Sequence, residues 1–572
     1  MARTPGSVRA IAAARGDEIA DLLLTGGSVF STATLEWVKT SIAISDGIIV
    51  GWGERNARSV IDVTGKYLIP GFIDAHMHLE STKLWADEFV KTVLPTGTTA
   101  VVADPHELGN VFGIQGIKAL IDSTKNLPFT FAVTASSCVP ASNFESPGFE
   151  ITSAEVGRIL DKYGAIGVAE VMNYPGVIAA DPEVMAKIRA AGHKRVDGHA
   201  PMVSGSALDA YLSAGIESDH ECTSLAEAHE KRQKGMWIFI REGSASKNLK
   251  DLIGTVLSTG TDNVALCTDD REPGTLLDRG HINDCVAMAV QAGVSPEDAI
   301  ILGSTNAAQY HNLYNLGSLG PGYQADVLIL DNLKDFKPSM VFWRGTLVAK
   351  DGKILEGIVP VSKPPSWMLR SMHLENSISG EMLSLQTTPK STYKVIEVKS
   401  GSISTKEIHL DGSELTDCAK IAVVERHKNT GRFGIGLVKG FGLARGAIGS
   451  TVAHDAHNLM LVGANTDAGS VDMAIVAKTL NDIGGGQAAV LDGKVLAFVP
   501  LGIGGLMSTK DAPTVAKELS ELERAAKEML GIALEAPFMM LSFLGLSVIP
   551  ELRITDLGLI DVVKFELTSI NV

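Results

Sequence analysis

Apolar and polar positions alternate in two different ways over the first half of the chain. Residues 20–70 contain short β-rich runs broken by glycine and aspartate turns, such as SIAISDGIIVGWGE, which predict a small antiparallel sheet. From residue 71 to about 316, short apolar runs such as TTAVVAD and WIFIRE alternate with segments of helical periodicity such as DPEVMAKIRAAG. About eight such alternations over about 240 residues predict a (β/α)8 barrel, whose usual size is about 250 residues.

Sheet-like sequence returns after the barrel segment, in GYQADVLILD and the runs that follow it. Because β-rich pieces flank the barrel on both sides, we expect them to pair into one small β-sandwich. After a linker, SKPPSW, the rest of the chain has the pattern of an α+β domain. The predicted fold is therefore α/β, a TIM-like (β/α)8 barrel with a flanking β-sandwich and an α+β C-terminal domain. The expected segments are a loose lead-in (1–19), the sandwich (20–70 with 317–361), the barrel (71–316) and the C-terminal domain (362–572).

Two stretches of the C-terminal domain have an ordinary structural interpretation. The glycine-rich NDIGGGQAAVLDGKV at 481–495 matches neither common phosphate-binding glycine pattern, and we expect a helix end followed by a hairpin. The most apolar run, FMMLSFLGLSVI at 538–549, is enclosed by Pro537 and Pro550 and is shorter than the about 20 residues that span a bilayer. This run is predicted to lie in the core and not in a membrane.

Charge and cysteine content narrow the classes of partner. The chain has 572 residues, with 50 Lys and Arg against 66 Asp and Glu and a formal net charge of −16. This excess of negative charge argues against nucleic acid or an anionic membrane as a partner and favours a small neutral substrate. The five cysteines form no CxxC pair, and the apolar block near the start is too interrupted for a secretory signal. We therefore expect a cytoplasmic protein.

The chemistry is predicted at the ends of the barrel strands. The stretch GFIDAHMHLE at 71–80 puts His76 and His78 two positions apart at the end of a buried strand. Residues i and i+2 of a strand point to one side, so both imidazoles face the same place. Two nitrogen ligands at this spacing make half of a metal site.

Later strands add donors at corresponding positions. In such a barrel the carboxyl ends of all strands meet at one face, even when they are far apart in sequence. Four further strand-end residues are ligand candidates: Glu170, His199, His220 and Asp269. Four histidines and two carboxylates exceed what one ion with an open position requires. The sequence therefore predicts two divalent metal ions, bridged by Glu170.

Each of these residues, taken singly, has a more ordinary interpretation. A lone histidine at a strand end is more often hydrogen-bonded than bound to a metal, and a lone aspartate is more often a helix cap, as Asp270 could be. The convergence of six such residues on one barrel mouth is what favours the metal site over these alternatives.

Several motifs resemble a known family. PGFIDAHMHLE, the later histidines, the strand-end aspartate and GPGYQADVLILD resemble the amidohydrolase superfamily. More narrowly, the following segments resemble the bacterial adenine deaminase family: DPHELGNVFG (104–113), GHAPMVSG (198–205), ESDHECTS (217–224), IREGSASKNL (240–249) and TVAHDAHNLMLVG (451–463). The likeness extends over nearly the whole chain, including the C-terminal domain.

The resemblance implies hydrolysis of free adenine to hypoxanthine and ammonia, a reaction of purine salvage, with hydroxide generated on the metal attacking C6. It implies manganese or iron as the metals, and such ligands also accept zinc. Dihydroorotase and hydantoinase relatives have a carboxylated lysine where this chain has Glu170. N-acetylglucosamine-6-phosphate deacetylase also uses a glutamate ligand, but it needs a cationic grip on phosphate, for which only Arg241 can be placed near a strand end.

Candidates for proton transfer and for substrate contact follow the same strand ends. Asp269 can accept the proton of the attacking water and return it to the departing amine. Three residues are candidates to protonate N1 of the purine: His106, Glu107 and Glu221. Three others are candidates to bind the substrate: Arg241, Ser244 and Ser246. Helix capping is an equal alternative for the two serines.

Some functional questions stay open at the level of sequence. His454 and His457 in VAHDAHN could form a separate metal site, belong to a lid over the barrel mouth or make a subunit contact. Two alternatives to adenine deamination are an amidohydrolase acting on a cyclic amide or an N-acetylated sugar, and a non-catalytic scaffold of the same fold. The complete set of ligand candidates argues against the scaffold. The added C-terminal domain favours a homo-oligomer.

Overall fold

The computed structural model of the protein describes residues 6–244, 246–369, 371–374, 378–399 and 404–572. Its first element is an α-helix, Val8–Arg15, where the sequence suggests a loose lead-in. The side chain of Ser7 accepts a hydrogen bond from the amide of Ala10 and so caps the helix start. Ala10 and Ala13 are buried against the neighbouring sheet. The helix forms because this small apolar face has a surface to pack on.

One mixed sheet takes strands from both sides of the barrel segment. Tyr67–Pro70 pairs antiparallel with Val327–Leu330, so the chain leaves this sheet for the barrel and returns beside the same strand. An apolar core of its own, which includes Leu24, Ile42 and Ile329, lies within the sheet. Its strands are Ala20–Ser31, Glu36–Ser45, Ile48–Trp52, Ala57–Asp62, Tyr67–Pro70, Val327–Leu330, Pro338–Trp343, Thr346–Lys350 and Lys353–Ile354.

Within the described ranges, eight short buried strands form the barrel, at the apolar runs that predict them. Neighbouring strands pair in parallel, as Phe72–Met77 does with Thr98–Ala103. A bridge between Met77 and Asp269 joins the first strand to the residues that follow the last. The barrel strands are Phe72–Met77, Thr98–Ala103, Thr130–Val133, Gly167–Val171, Arg195–Gly198, Ser218–Asp219, Trp237–Arg241 and Val264–Cys267. The prediction of a (β/α)8 barrel is confirmed.

Helices between the strands begin at caps that the sequence encodes. Thr152 and Glu155 form a capping box at the start of Ser153–Lys162. Asp181 caps Pro182–Ala190 by accepting hydrogen bonds from two backbone amides, which would otherwise lack partners at the helix start. The helices of the barrel are Ala86–Val93, His106–Thr124, Ser153–Lys162, Tyr174–Ile178, Pro182–Ala190, Gly205–Ser213, Leu225–Gln233, Leu249–Leu252, Gly254–Thr259, Pro273–Arg279, Ile282–Gln291, Pro296–Ile300 and Asn306–Tyr310.

The C-terminal domain combines a long sheet with helices. The glycine-rich stretch is the turn between helix Asp467–Asp482 and the antiparallel hairpin of Gly486–Leu491 with Lys494–Pro500, as predicted. The apolar run at 538–549 is buried, which confirms its assignment to the core. None of the helices in the described ranges has the length and apolar character needed to cross a membrane. The other elements are Thr392–Glu397, Lys406–Asp411, Cys418–Val424, Phe433–Lys439, Ala447–Ser450, Leu459–Ala464, Ala512–Glu528, Pro537–Phe543, Leu552–Thr555, Gly558–Asp561 and Glu566–Thr568.

The C-terminal domain lies against the loops at the carboxyl ends of the barrel strands. The hydroxyls of Ser142 and Ser547 share a hydrogen bond of 2.6 Å. The side-chain amide of Asn458 donates to the carbonyl of Ser146 at 3.0 Å. The domain thereby covers the barrel mouth, where the candidate site residues lie.

Candidate metal centre

The barrel brings the six predicted ligands together at its mouth. His76 lies in the first strand and His78 directly follows it, and both rings are buried. Glu170 lies in the strand Gly167–Val171. Three further ligands follow their strands by one or two residues: His199, His220 and Asp269. All six side chains are buried.

The carboxylate of Glu170 is the centre of the group. Its Oε2 lies 2.7 Å from Nδ1 of His199 and 3.2 Å from Nε2 of His220. Its Oε1 lies 3.2 Å from Nε2 of His78 and 3.9 Å from Nε2 of His76. Burial opposes the ionisation of Glu170, yet the closely placed rings of His199, His220 and His78 hold its pKa well below the usual range. Each oxygen faces a different histidine pair, as a carboxylate between two cations requires.

Asp269 faces the first histidine pair from the last strand. Its Oδ1 lies 3.4 Å from Nε2 of His76 and 3.1 Å from Nε2 of His78. Its backbone has a φ of 57°, in the left-handed region that L residues adopt at a cost. The amide of Asp269 donates to the carbonyl of His76 at 3.0 Å, which helps to hold this conformation.

Four of these spacings, from 3.1 to 3.4 Å, are those of metal ligands, whereas the 2.7 Å contact of His199 is a direct hydrogen bond. Two atoms bound at about 2.1 Å to one tetrahedral ion lie about 3.4 Å apart. The Nε2 atoms of His76 and His220 are buried and have no hydrogen-bond partner among the described residues. His78 contacts the carbonyl of Asp104 through Nδ1 at 3.0 Å, which leaves its Nε2 lone pair towards the carboxylates. The donor set therefore fits divalent metal ions.

A buried arginine lies behind Asp269. Arg241 donates from Nη1 to Oδ2 of Asp269, and it grips both oxygens of Glu221, one of them from Nη2 at 2.9 Å. Burial would raise the pKa of Asp269, but the charge of Arg241 and the neighbouring rings of His76 and His78 hold that pKa well below its usual range. Arg241 is thus engaged with two carboxylates inside the centre.

The two candidate serines lie beside the last strand. The hydroxyl of Ser244 accepts a hydrogen bond of 2.9 Å from the amide of Glu272, the residue before helix Pro273–Arg279. This contact favours a capping role for Ser244. The helix concerned is Pro273–Arg279, which lies later in the chain than the helix directly after the serines. Ser246 is partly buried, and its carbonyl accepts from the amide of Gly243 at 2.9 Å. A purine contact by either serine stays a prediction.

His106 and Glu107 begin the helix after the second strand and lie at the edge of the centre. Nδ1 of His106 lies 3.1 Å from Oδ2 of Asp104 and 3.7 Å from Oε1 of Glu170. Oε1 of Glu107 accepts a hydrogen bond of 3.3 Å from the hydroxyl of Ser81. Both side chains are buried.

The C-terminal domain adds residues that sequence reasoning missed. Asp455, between the two histidines of VAHDAHN, has its Oδ1 at 3.5 Å from Nε2 of His106 and at 3.4 Å from Nδ1 of His454. Nδ1 of His454 also lies 3.6 Å from Oε1 of Glu107. The VAHDAHN motif was the one sequence feature that could have drawn attention to Asp455. Hydrophobic periodicity, however, does not indicate that this loop covers the barrel mouth.

Comparison with protein families and known proteins defines the relatives of this chain. The amidohydrolase family matches residues 67–348, and the adenine deaminase C-terminal domain matches residues 390–566. Adenine deaminase of Desulfatibacillum aliphaticivorans is 42% identical over 570 residues, covering 98% of this chain and 99% of that protein. Adenine deaminase 2 of Carboxydothermus hydrogenoformans is 40% identical over 568 residues, covering 98% of both. A solved β-aspartyl dipeptidase of Fervidobacterium islandicum AW-1 has a TM-score of 0.46 and 19% identity, covering 59% of this chain and 98% of that one.

The barrel and the matched family make this chain a metal-dependent hydrolase of the amidohydrolase class. Identity of about 40% to adenine deaminases, over nearly the whole length of the chain, defines its family more narrowly. The chain belongs to the adenine deaminase family.

Proposed function

We propose that this protein hydrolyses adenine to hypoxanthine and ammonia at the centre described above. The observation that carries the proposal is the convergence of four histidines and Asp269 on the carboxylate of Glu170, in a chain of the adenine deaminase family. Water attacks C6 of the purine, the exocyclic amine leaves as ammonia, and the carbonyl of hypoxanthine remains.

Two divalent metal ions fit this centre, and Glu170 would help to hold both. The first histidine pair and Asp269 would hold one ion, and His199 with His220 would hold the other. When bound, such ions lower the pKa of water from about 15.7 to about 7 and so supply hydroxide at neutral pH. Manganese and iron are the proposed metals, and zinc suits the same ligands.

Asp269 is the proposed carrier of the proton between water and the leaving amine. Its Oδ2 is held by Arg241, so the orientation of the carboxylate is fixed before substrate arrives. Asp269 accepts one proton as the C–O bond forms and delivers it to the exocyclic nitrogen as the C–N bond breaks. Arg241 acts through Asp269, as a positioning residue.

Glu107 is the donor that we propose for N1 of the purine. Both oxygens of Glu221 accept hydrogen bonds from Arg241, so this carboxylate is already engaged and does not suit a donor. His106 lies between the carboxylates of two aspartates. Glu107 is buried, which raises its pKa and favours the protonated form that donation needs.

The loop at 451–458 is the proposed cover of the substrate site. The ring of His454 stacks on Phe543, with centroids 4.9 Å apart and an angle of 13° between the planes. Flat aromatic surfaces beside Glu107 suit a planar purine. The close contact of this loop with the barrel favours the free base over a nucleoside.

Further proposals concern the organisation of the molecule. We infer that the mixed sheet with strands from both flanks closes as a small β-sandwich, since it has its own apolar core. The expected boundaries at residues 70, 316 and 361 stay a prediction, as does a homo-oligomeric state. The net charge of −16 supports a small-molecule substrate without nucleic acid or membrane partners, and we propose a cytoplasmic location.

A substrate screen tests the function. Manganese-loaded protein is incubated in parallel with adenine, adenosine, dihydrouracil and N-acetylglucosamine 6-phosphate, and hypoxanthine, ammonia, ring-opened product and acetate are assayed. Hypoxanthine and ammonia in equal amounts, from adenine alone, is the expected result. Turnover of the cyclic amide or of the acetylated sugar without turnover of adenine would overturn the proposal, and inertness towards all four with metal bound would favour the scaffold.

A further inference from the structure

A second group of metal-ligating side chains lies outside the six-residue centre, where the C-terminal domain meets the barrel. It comprises His106 of the barrel with His454 and Asp455 of the C-terminal domain, here called the interdomain triad. His106 and Asp455 are 3% and 2% exposed and His454 is partly buried, so the triad is largely shielded from bulk water. We propose that the interdomain triad binds a divalent metal ion that links the two domains.

The spacing within the triad is that of ligands on one ion. Oδ1 of Asp455 lies 3.5 Å from Nε2 of His106 and 3.4 Å from Nδ1 of His454. A charge-assisted hydrogen bond between imidazolium and carboxylate closes to about 2.7–2.9 Å. Ligands held at about 2.1 Å by a tetrahedral ion lie about 3.4 Å apart. The triad thus repeats the spacing of the barrel centre, and both contacts are longer than direct charge-assisted hydrogen bonds.

Two atoms of the triad residues lack hydrogen-bond partners within the described ranges. Nε2 of His106 and Oδ2 of Asp455 are buried and have no hydrogen-bond partner in the part of the chain that the structure describes. The other ring nitrogen of His106 lies 3.1 Å from Oδ2 of Asp104. A carboxylate on the far nitrogen orients a ligating histidine and increases its basicity. His106 therefore has the arrangement of a metal ligand on both sides of its ring.

His457 is excluded from the ligand set by its backbone contact. Its Nδ1 accepts a hydrogen bond of 3.0 Å from the amide of Ala453. The neutral ring therefore carries its proton on Nε2, which faces Oε2 of Glu107 at 3.9 Å. His457 therefore offers no lone pair to a metal. Two nitrogens and one carboxylate oxygen remain, a set that suits zinc, manganese or iron with water completing the coordination.

Metal analysis of the full-length protein tests the proposal without using turnover. Metal-free wild type and variants are loaded with Zn²⁺, freed of excess by gel filtration and analysed for zinc per chain. Asp455→Asn and His454→Phe, which keeps the ring stack on Phe543, are expected to hold one equivalent less than wild type. Glu107→Gln and the surface variant His409→Gln are the matched controls, and both are expected to hold the wild-type amount. Equal zinc in wild type and in the two triad variants would overturn the proposal.

Wild-type protein gives a second test that needs no variant. Crystals of the zinc-loaded protein are measured at the zinc absorption edge, and an anomalous peak is expected between Nε2 of His106 and Oδ1 of Asp455. Peaks in the barrel centre without one in the interdomain triad would overturn the proposal. Zinc content and the anomalous peak both report metal and not turnover. A protein that binds metal in the triad but does not deaminate adenine can therefore be told apart from one that lacks the triad site.

Discussion

Arg241 and Asp269 form a buried ion pair at the barrel mouth, in which the guanidinium donates to Oδ2 of the carboxylate. The other oxygen, Oδ1, faces the first histidine pair and lies 3.1 Å from Nε2 of His78. The positive charge of Arg241 makes Asp269 a weaker base, but it determines which oxygen faces the reaction. The ion pair thus lowers the basicity of Asp269 and fixes the orientation of its carboxylate.

Replacement of Asp269 by asparagine tests the proton transfer. Asp269→Asn keeps the shape of the side chain but removes the group that accepts the proton. We expect kcat for adenine to fall by about 10²–10⁴, the range typical of a lost general acid–base group. The measurement is steady-state kinetics together with metal analysis of the same preparation. A fully metal-loaded variant with near-normal kcat would rule out this role.

His78→Ala tests the first half of the metal centre. Its Nε2 faces one oxygen of Glu170 and one of Asp269, so its loss should remove about one metal equivalent per chain and abolish turnover. Circular dichroism should show an intact fold. The exposed histidine His193 supplies the matched control, and His193→Ala should keep both metal and activity. Wild-type metal content in His78→Ala would contradict the ligand assignment.

Glu107→Gln tests the donor to N1. The variant keeps a hydrogen-bonding side chain of the same size but has no proton to transfer, so kcat should fall by about 10²–10⁴ with little change in KM. Metal content should be unchanged. The comparison is Glu221→Gln: a large loss in that variant with near-normal turnover in Glu107→Gln would reverse the assignment.

Glu145 gives a pH-dependent prediction for stability. Burial raises its pKa to about 8, and the charge of Asp455 adds to this, whereas the unfolded chain titrates near 4.5. Between these values the unfolded state releases a proton that the folded state keeps, so stability falls as pH rises from about 5 to about 8. Glu145→Gln removes this loss in the free energy of unfolding, which is on the order of a few kcal/mol. Thermal midpoints of both proteins at pH 5, 6.5 and 8 should diverge with rising pH. Parallel curves would show that Glu145 does not couple to folding.

Much of the barrel can be predicted from sequence because its determinants are local. Each strand is a short apolar run, and the carboxyl ends of such strands converge by topology, so the sequence alone places His76 and Glu170 at one mouth. The glycine-rich turn and the buried run at 538–549 follow from equally local patterns.

Contacts across long separations cannot be predicted in the same way. The position of Arg241 near a strand end suggests a contact with substrate, but its partner depends on which carboxylates the neighbouring strand ends present. Ser244 contacts the amide of Glu272, a helix start 28 residues later. Asp455 meets His106 only because the C-terminal domain covers the barrel, and hydrophobic periodicity does not encode how two domains dock.

Titration of metal-free protein with Mn²⁺ in the presence of adenine tests the link between the centre and its chemistry most directly. Hypoxanthine is followed by its ultraviolet spectrum, and ammonia is assayed in the same tube. We expect no turnover without metal, a rise in rate as the centre fills, equal amounts of the two products, and no recovery in His78→Ala. Full turnover by the metal-free protein, or none by the metal-loaded one, would contradict the mechanism.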